Sequence, residues 1–162
     1  MNDSSETPAE KPFPVFGCLF GLDHGTKRIG IAMTDDEQRM SVPLENYDCQ
    51  TSEWDAQYIT KLAEAYAARG LVIGLPVHVN GEESVQSLAA RAFGERMAAA
   101  SGLPVFFQDE RYSSTLAEDR LQEAGLNTRK HKGRVDMIAA QILLQSFLDR
   151  SERDSPPQPL FD

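Results

Sequence analysis

Short apolar runs and longer segments with helical periodicity alternate along the chain, which predicts an α/β fold. Apolar runs of strand length, bounded by turn residues, predict five strands at 16–22, 29–33, 40–47, 71–75 and 103–107. The first three strands are joined by short loops, which favours an antiparallel meander. The last two follow helices and are expected to join the sheet as parallel strands through right-handed crossovers. Pro43 indicates that the third strand lies at an edge or carries a bulge.

Four segments place apolar residues at helical spacing. The first ends at Gly70 and repeats the apolar residues Trp54, Tyr58, Leu62 and Tyr66. The second, 82–101, is expected to bury the face formed by Val85, Leu88, Ala89, Ala92, Phe93 and Met97. A third is expected at 114–124, and the last is expected to turn inward Val135, Ile138, Ala139, Ile142 and Phe147. The predicted order, β-β-β-α-β-α-β-α-α, describes a mixed five-stranded sheet with helices on its faces.

Composition predicts one folded domain between two tails. A chain of 162 residues is long enough to bury a core of its own. Residues 1–14 and 151–162 are polar and rich in proline, so we expect disordered tails around a domain at 15–150. No apolar run approaches the ~20 residues of a membrane span, and no signal peptide is recognisable. The two cysteines do not form a disulfide framework. These features predict a cytoplasmic protein with reduced thiols and no membrane partner.

The formal net charge of −9 argues against a generally basic nucleic-acid-binding protein. It does not exclude nucleic acid, because the placement of the basic residues matters more than the sum. Neither GxxxxGK[ST] nor GxGxxG occurs, so nucleotide binding through those loops has no support. No pair of His or Cys residues at ligand spacing indicates zinc.

Three acids stand where the predicted fold brings chain segments together. Asp23 follows the first strand, Glu110 follows the strand at 103–107, and Asp136 lies in the first turn of the last helix. Open α/β sheets place sites at the carboxyl ends of their strands, so these side chains are candidates for one site. Carboxylates are ligands for hard cations such as Mg²⁺, and paired cations promote phosphodiester hydrolysis. Asp109 competes with Glu110, because neighbouring residues of an extended segment point in opposite directions.

Each acid also has a simpler interpretation. An acid after a strand is usually a solvated turn residue, and Glu110 within Asp-Glu-Arg is usually a salt-bridged surface residue. The dipole of a helix favours an acid near its N-terminus, which accounts for Asp136 without chemistry. The functional hypothesis therefore depends on all three acids meeting.

Basic residues flank each of these acids. Lys27 and Arg28 lie close to Asp23, Arg111 follows Glu110, and the segment before Asp136 contains Arg129, Lys130, His131, Lys132 and Arg134. This arrangement suits a polyanion that crosses the acidic centre, with the basic side chains on its phosphates. A solvated loop explains the segment at 129–134 equally well. His131 fits this basic patch better than a metal site.

Four motifs, in order, carry a family resemblance: LDHGTKRIGIAMTD, VIGLP with a following NG, DERYSST, and KGRVDMIAAQILLQSFLD. The chain resembles the YqgF (RuvX) family, whose members are described as pre-16S rRNA nucleases and Holliday junction resolvase-like proteins. The resemblance covers about residues 16–150. His24 and Tyr112 depart from the residues more usual in the family, and neither change removes an acid.

The resemblance implies a ribonuclease H-like fold and a nuclease active in ribosome biogenesis. It implies that Asp23, Glu110 and Asp136 are catalytic acids that bind Mg²⁺ or Mn²⁺. The leading hypothesis is cleavage of structured RNA at the 5′ end of precursor 16S rRNA, with Lys27, Arg28, Arg111, Arg129, Lys130, Lys132 and Arg134 on the backbone. Two alternatives remain open. One is cleavage of branched DNA, a hypothesis that a stable dimer would favour, and the other is non-catalytic binding of nucleic acid.

Overall fold

The computed structural model describes residues 13–76, 84–109 and 132–150, with backbone alone for 132–135. Its strands are β1 Leu19–His24, β2 Arg28–Thr34, β3 Ser41–Asp48, β4 Gly70–Leu75 and β5 Val105–Asp109. Its helices over the same ranges are α1 Ser52–Ala65, α2 Val85–Ser101 and α3 Lys132–Leu148. The helix expected at 114–124 lies outside the described residues. Within the three described ranges, no helix is long and apolar enough to span a membrane.

The strands form one mixed sheet in the order β3-β2-β1-β4-β5. β2 is antiparallel to both β1 and β3, whereas β4 is parallel to β1 and β5 is parallel to β4. The predicted meander and the two parallel additions are therefore confirmed. β3 lies at the edge, and its register with β2 shifts where Pro43 pairs with Ala32, as the proline indicated.

Each face of the sheet buries its own hydrophobic cluster. The cluster under α1 and α2 includes Phe20, Leu22, Ile31, Ile73 and Phe93. The cluster under α3 includes Leu19, Ala32, Val72, Phe106 and Leu144. Successive residues of a strand alternate between the faces, so the parity of a position tells which helices its side chain meets.

Phe13, which the sequence analysis assigns to the N-terminal tail, packs in the core under α3. Its ring lies edge-on to Phe147, with centroids 5.3 Å apart, and it also contacts Phe106 at 5.9 Å. The packed domain therefore includes residues before position 15.

The apolar repeat of α1 does not coincide with the face that the helix buries. Trp54 is 63% exposed and Tyr66 is 42% exposed. The helix instead buries Asp55, Ala56, Ile59 and Ala63. Asp55 tolerates burial because its carboxylate accepts hydrogen bonds from the Tyr47 hydroxyl at 2.9 Å and the Gln50 backbone N–H at 2.8 Å. Because Asp55 lies on the inner face of the helix, Trp54 and Tyr66 lie on its outer side.

The predicted face of α2 is partly wrong, because Val85 and Leu88 are 85% and 58% exposed. The helix begins after Ser84 with a capping box, and it buries Ser87, Ala90, Phe93, Gly94 and Met97. A Cβ on Gly94 would lie 2.4 Å from the Phe107 ring, so the helix turns its smallest residue toward β5. Phe93 and Met97 are buried as expected.

α3 buries Ala140, Ile142, Leu143, Leu144, Phe147 and Leu148. Ile142 and Phe147 agree with the prediction, whereas Ile138 and Ala139 are only half-buried. The helix begins at Lys132, so Asp136 lies in its second turn and not in its first. The helix dipole therefore explains this acid less well than the sequence alone indicated.

Candidate functional site

The carboxyl ends of β1, β4 and β5 meet at one edge of the sheet, and α3 crosses one face there. Leu19 packs in the cluster under α3, and Gly21 lies directly beneath Leu144 and Ala140. Asp23 has the same parity, so its side chain faces α3. In the ladder between β1 and β2, Asp23 pairs with Gly30.

Gly30 allows α3 to lie against the sheet at this point. A Cβ on Gly30 would be 2.0 Å from the backbone oxygen of Asp136 and 2.4 Å from its carbonyl carbon. Only a residue without a side chain permits this approach. The second turn of α3 thus lies over the Asp23–Gly30 pair, and the two predicted acids become neighbours. A glycine inside a strand that pairs with an acid is the sequence signal that the motif analysis missed.

The proximity of the two acids changes the ionisation of Asp23. Its pKa is raised from 3.8 to about 6, first because burial disfavours the charged form and second because Asp136 is negatively charged. Two neighbouring like charges at a partly buried site require a proton or a cation. Hard oxygen donors suit Mg²⁺ and Mn²⁺, so the residues present fit a divalent cation of that class.

Arg28 forms an ion pair with Asp136 across the edge of the sheet. The Arg28 Nε lies 2.8 Å from Asp136 Oδ2, and both side chains are 29% exposed. This bond raises the pKa of the guanidinium, and the charge of Asp48, the register partner of Arg28 on β3, acts in the same direction. Arg28 was expected on a phosphate, but in the protein it contacts a proposed metal ligand.

Lys27 keeps the exposure that a phosphate contact requires. It lies in the turn between β1 and β2, which is closed by a hydrogen bond from the Gly25 N–H to the Arg28 carbonyl at 2.9 Å. The Lys27 carbonyl accepts a hydrogen bond from the Cys49 N–H, also at 2.9 Å. The backbone of the turn that carries Lys27 is therefore fixed by both of these hydrogen bonds.

His24 faces away from the two acids. Its ring stacks on Phe93 with centroids 4.5 Å apart, so it belongs to the face of α1 and α2. Burial lowers the pKa of His24, and the nearby charge of Arg96 lowers it further. This departure from the usual family residue therefore contributes packing on the opposite side of the sheet.

Asp109 also faces away from the two acids. Phe107 packs beneath Gly94 of α2, whereas Gln108 lies on the other face, within 3.5 Å of Arg150. Asp109 has the parity of Phe107, so it shares the face of α1 and α2.

The remaining predicted site residues lie outside the described residues. These are Glu110, Arg111, Arg129, Lys130 and His131, together with the side chains of Lys132 and Arg134. Within 13–76, 84–109 and 136–150, no cluster of three or more His, Cys, Asp or Glu side chains forms a metal site. The described part of the centre is therefore a pair of acids, Asp23 and Asp136.

The chain is similar to known proteins over most of its length. The profile of the RuvX family, described as Holliday junction resolvase, matches residues 17–150. A protein of Rhodopirellula baltica named "Putative pre-16S rRNA nuclease" is 39% identical over 146 residues, which cover 90% of this chain and 84% of the relative. A relative of the same name from Nitrosomonas eutropha is 34% identical over 157 residues, covering 96% and 100%.

Two solved structures share the fold at low sequence identity. RuvC of Thermus thermophilus, solved in complex with a Holliday junction substrate, has a TM-score of 0.50 at 10% identity, covering 78% of this chain and 91% of RuvC. The large terminase nuclease of the thermophilic phage G20c has a TM-score of 0.50 at 15% identity, covering 84% of each chain. The ribonuclease H-like fold is therefore confirmed. With a family profile over nearly the whole domain and relatives over most of both chains, this chain belongs to the RuvX family.

Proposed function

We propose that the protein is a metal-dependent endonuclease that processes the 5′ end of precursor 16S rRNA. The observation that carries this proposal is the pair formed by Asp23 and Asp136, two neighbouring acids at the carboxyl edge of a ribonuclease H-like sheet. Family membership supports nuclease activity, and the names of the relatives from Rhodopirellula and Nitrosomonas support the rRNA substrate.

Asp23 and Asp136 would hold the cation, with Mg²⁺ or Mn²⁺ as the expected ion. When bound, such an ion supplies the positive charge that activates water and stabilises the leaving oxygen of a phosphodiester. The chain itself contributes the alignment of the two carboxylates. β1 positions Asp23, and the contact at Gly30 positions the backbone of Asp136.

We assign the third carboxylate to Glu110. Asp109, its competitor, has the parity of Phe107 and faces α2, on the opposite side of the sheet from Asp23 and Asp136. Glu110 is the next acid along the chain. Because Asp109 faces α2, we propose Glu110 as the ligand, a choice that the sequence pattern left open.

The substrate backbone would be held by basic residues around this edge. Lys27, exposed in a fixed turn, is the described member of the group. Arg111, Arg129, Lys130, Lys132 and Arg134 are proposed on their sequence positions next to Glu110 and Asp136. Local positive charge of this kind provides phosphate contacts despite the net charge of −9.

The proposal is tested by incubating wild-type protein, Asp136→Asn and Asp149→Asn with a precursor 16S rRNA fragment, with and without Mn²⁺. Asp149 is an exposed acid at the other end of α3, so its replacement is the matched control. We expect Mn²⁺-dependent cleavage by wild type and Asp149→Asn, and a loss of more than about 100-fold in Asp136→Asn. Full activity of Asp136→Asn would contradict the assignment.

Branched DNA is the second candidate substrate, because the family profile is described as Holliday junction resolvase. A four-way DNA junction of matched length is added to the same reactions. We expect faster cleavage of the rRNA fragment, and preferential, symmetrical cleavage of the junction would favour the resolvase. If the protein binds either nucleic acid but neither cleaves it nor binds Mn²⁺, this result would indicate a non-catalytic factor.

A further inference from the structure

We propose that Arg28 is a positioning residue for Asp136, a role that replaces the phosphate contact suggested by its place in the sequence. This inference rests on the proposed function, since Asp136 is one of the acids assigned to the metal. Arg28 acts through the carboxylate: it fixes the orientation of Asp136, so that the group is ready for the cation before substrate arrives.

The first support is the way that β2 contacts one turn of α3 at two positions. Arg28 and Gly30 are two residues apart on a strand, so they face the same side. A Cβ on Gly30 would lie 2.0 Å from the carbonyl oxygen of Asp136, so the glycine leaves room for the backbone of Asp136. Arg28 binds the side chain of the same residue at 2.8 Å. Backbone and carboxylate of Asp136 are thus both set by β2.

The second support is the selectivity of the bond for one oxygen. Arg28 donates from Nε to Oδ2 of Asp136. A carboxylate has two oxygens, and this bond engages only Oδ2, so Asp136 would still be able to act as a ligand. Ligand carboxylates are commonly held by such outer hydrogen bonds, and replacing the outer partner typically lowers metal affinity or activity by about 10- to 100-fold.

The third support is the charge balance. The second turn of α3 lies over the Asp23–Gly30 pair, so Asp23 and Asp136 are neighbouring acids of like charge that repel each other. Without an anchor, the half-buried Asp136 side chain relieves this repulsion by rotating away from Asp23. The ion pair with the guanidinium opposes that rotation, and Asp48 on β3 is the register partner of Arg28.

Two other roles for Arg28 make different predictions. As a phosphate contact it would set the affinity for RNA, as Lys27 is expected to do. As a competitor of the cation it would weaken metal binding, so that its removal would tighten it. The bond to Asp136 uses the Nε donor of Arg28, so Mn²⁺ affinity and KM measured on the same variants separate these roles.

The test compares wild type with Arg28→Gln, Arg28→Lys and Lys27→Gln. Mn²⁺ affinity is measured without substrate by electron paramagnetic resonance, and kcat and KM are measured on the rRNA fragment at saturating Mn²⁺. For Arg28→Gln we expect Mn²⁺ affinity to fall about tenfold or more and kcat to fall, with KM changed less than about threefold. Arg28→Lys retains a cation within reach of the carboxylate and is expected to recover part of both losses. Lys27→Gln is expected to raise KM and leave Mn²⁺ affinity unchanged.

Two results would overturn the inference while leaving the proposed function intact. Unchanged Mn²⁺ affinity with a raised KM in Arg28→Gln would make Arg28 a phosphate contact, and tighter Mn²⁺ binding would make it a competitor. Thermal melting of each variant in chelator separates these outcomes from loss of folding. If wild type itself neither binds Mn²⁺ nor cleaves RNA, the proposed function fails, which the same plate of reactions shows.

Discussion

Asp23 combines a cost in stability with the chemistry proposed for it. Its pKa is raised to about 6, above the ~3.9 of an unfolded chain, so the folded protein without metal binds a proton more readily than the unfolded chain does. The contribution of this group to stability is therefore most favourable below about pH 4. This contribution is lost as the pH rises through the folded pKa of about 6, and above that pH the full free-energy cost of the charged carboxylate remains.

The first prediction follows from that sign. Asp23→Asn removes the buried charge, so in chelator at pH 8 it raises the free energy of unfolding by about 1 to 3 kcal/mol, and at pH 4 it gives no gain. Thermal or urea melting at the two pH values measures the difference. An equal effect of the substitution at both values would show that Asp23 is not the group that titrates near 6.

The second prediction concerns the choice between two adjacent acids. Glu110→Gln is expected to lower the rate of Mn²⁺-dependent cleavage by more than about 100-fold, because it removes a proposed ligand. Asp109→Asn is the matched control and is expected to stay within about threefold of wild type, since its side chain faces α2. The reverse pattern, measured as initial rates on the rRNA fragment, would transfer the ligand role to Asp109.

At the scale of elements, the site depends on how closely α3 lies on the sheet. Two glycines under this helix, Gly21 and Gly30, occupy positions where a Cβ would meet α3 at 2.8 Å and 2.0 Å. Both glycines lie within the apolar runs that predict β1 and β2, and not in a turn. Their role is to let α3 lie close to the sheet. The approach of α3 is what makes neighbours of acids that are far apart in the sequence.

The third prediction tests this contact. Gly30→Ala is expected to lower the free energy of unfolding by at least about 2 kcal/mol and to reduce cleavage strongly, because the backbone of Asp136 must move. Gly102→Ala is the control: its φ of +71° adds strain of about 1 kcal/mol, but no described residue beyond its chain neighbours has an atom within 4 Å of the new Cβ. Urea melting and cleavage rates are measured together. Wild-type kcat in Gly30→Ala would contradict the role of the contact.

The pattern of the strands was sufficient to predict the sheet, whereas the pattern of the helices was not sufficient to predict which face each helix buries. Buried runs such as the one containing Phe20 and Leu22 are apolar whichever helix covers them, so β1 is readily recognised. The face of α1 depends on Asp55, whose burial is compensated by Tyr47, a residue on another element. The ion pair of Arg28 with Asp136 joins positions 108 apart, and no local pattern in the sequence indicates it.

At the scale of the whole molecule, a net charge of −9 has to coexist with a polyanionic substrate. We expect binding to depend on a few local phosphate contacts and hence on salt. The fourth prediction is that Lys27→Gln lowers the slope of log affinity against log salt by about 0.7 to 0.9, one contact's share. Lys61→Gln, on the exposed side of α1, is the control with an unchanged slope. Equal slopes for both variants would remove Lys27 from the interface.

Asp23 and Asp136 are together expected to hold a divalent cation. Anomalous diffraction from crystals grown or soaked with Mn²⁺ tests it most directly, with Asp136→Asn crystals treated in the same way. We predict a manganese peak about 2.0 to 2.2 Å from a carboxylate oxygen of each acid in the wild type, and its loss in the variant. Manganese bound elsewhere, with neither Asp23 nor Asp136 in contact, would contradict the claim.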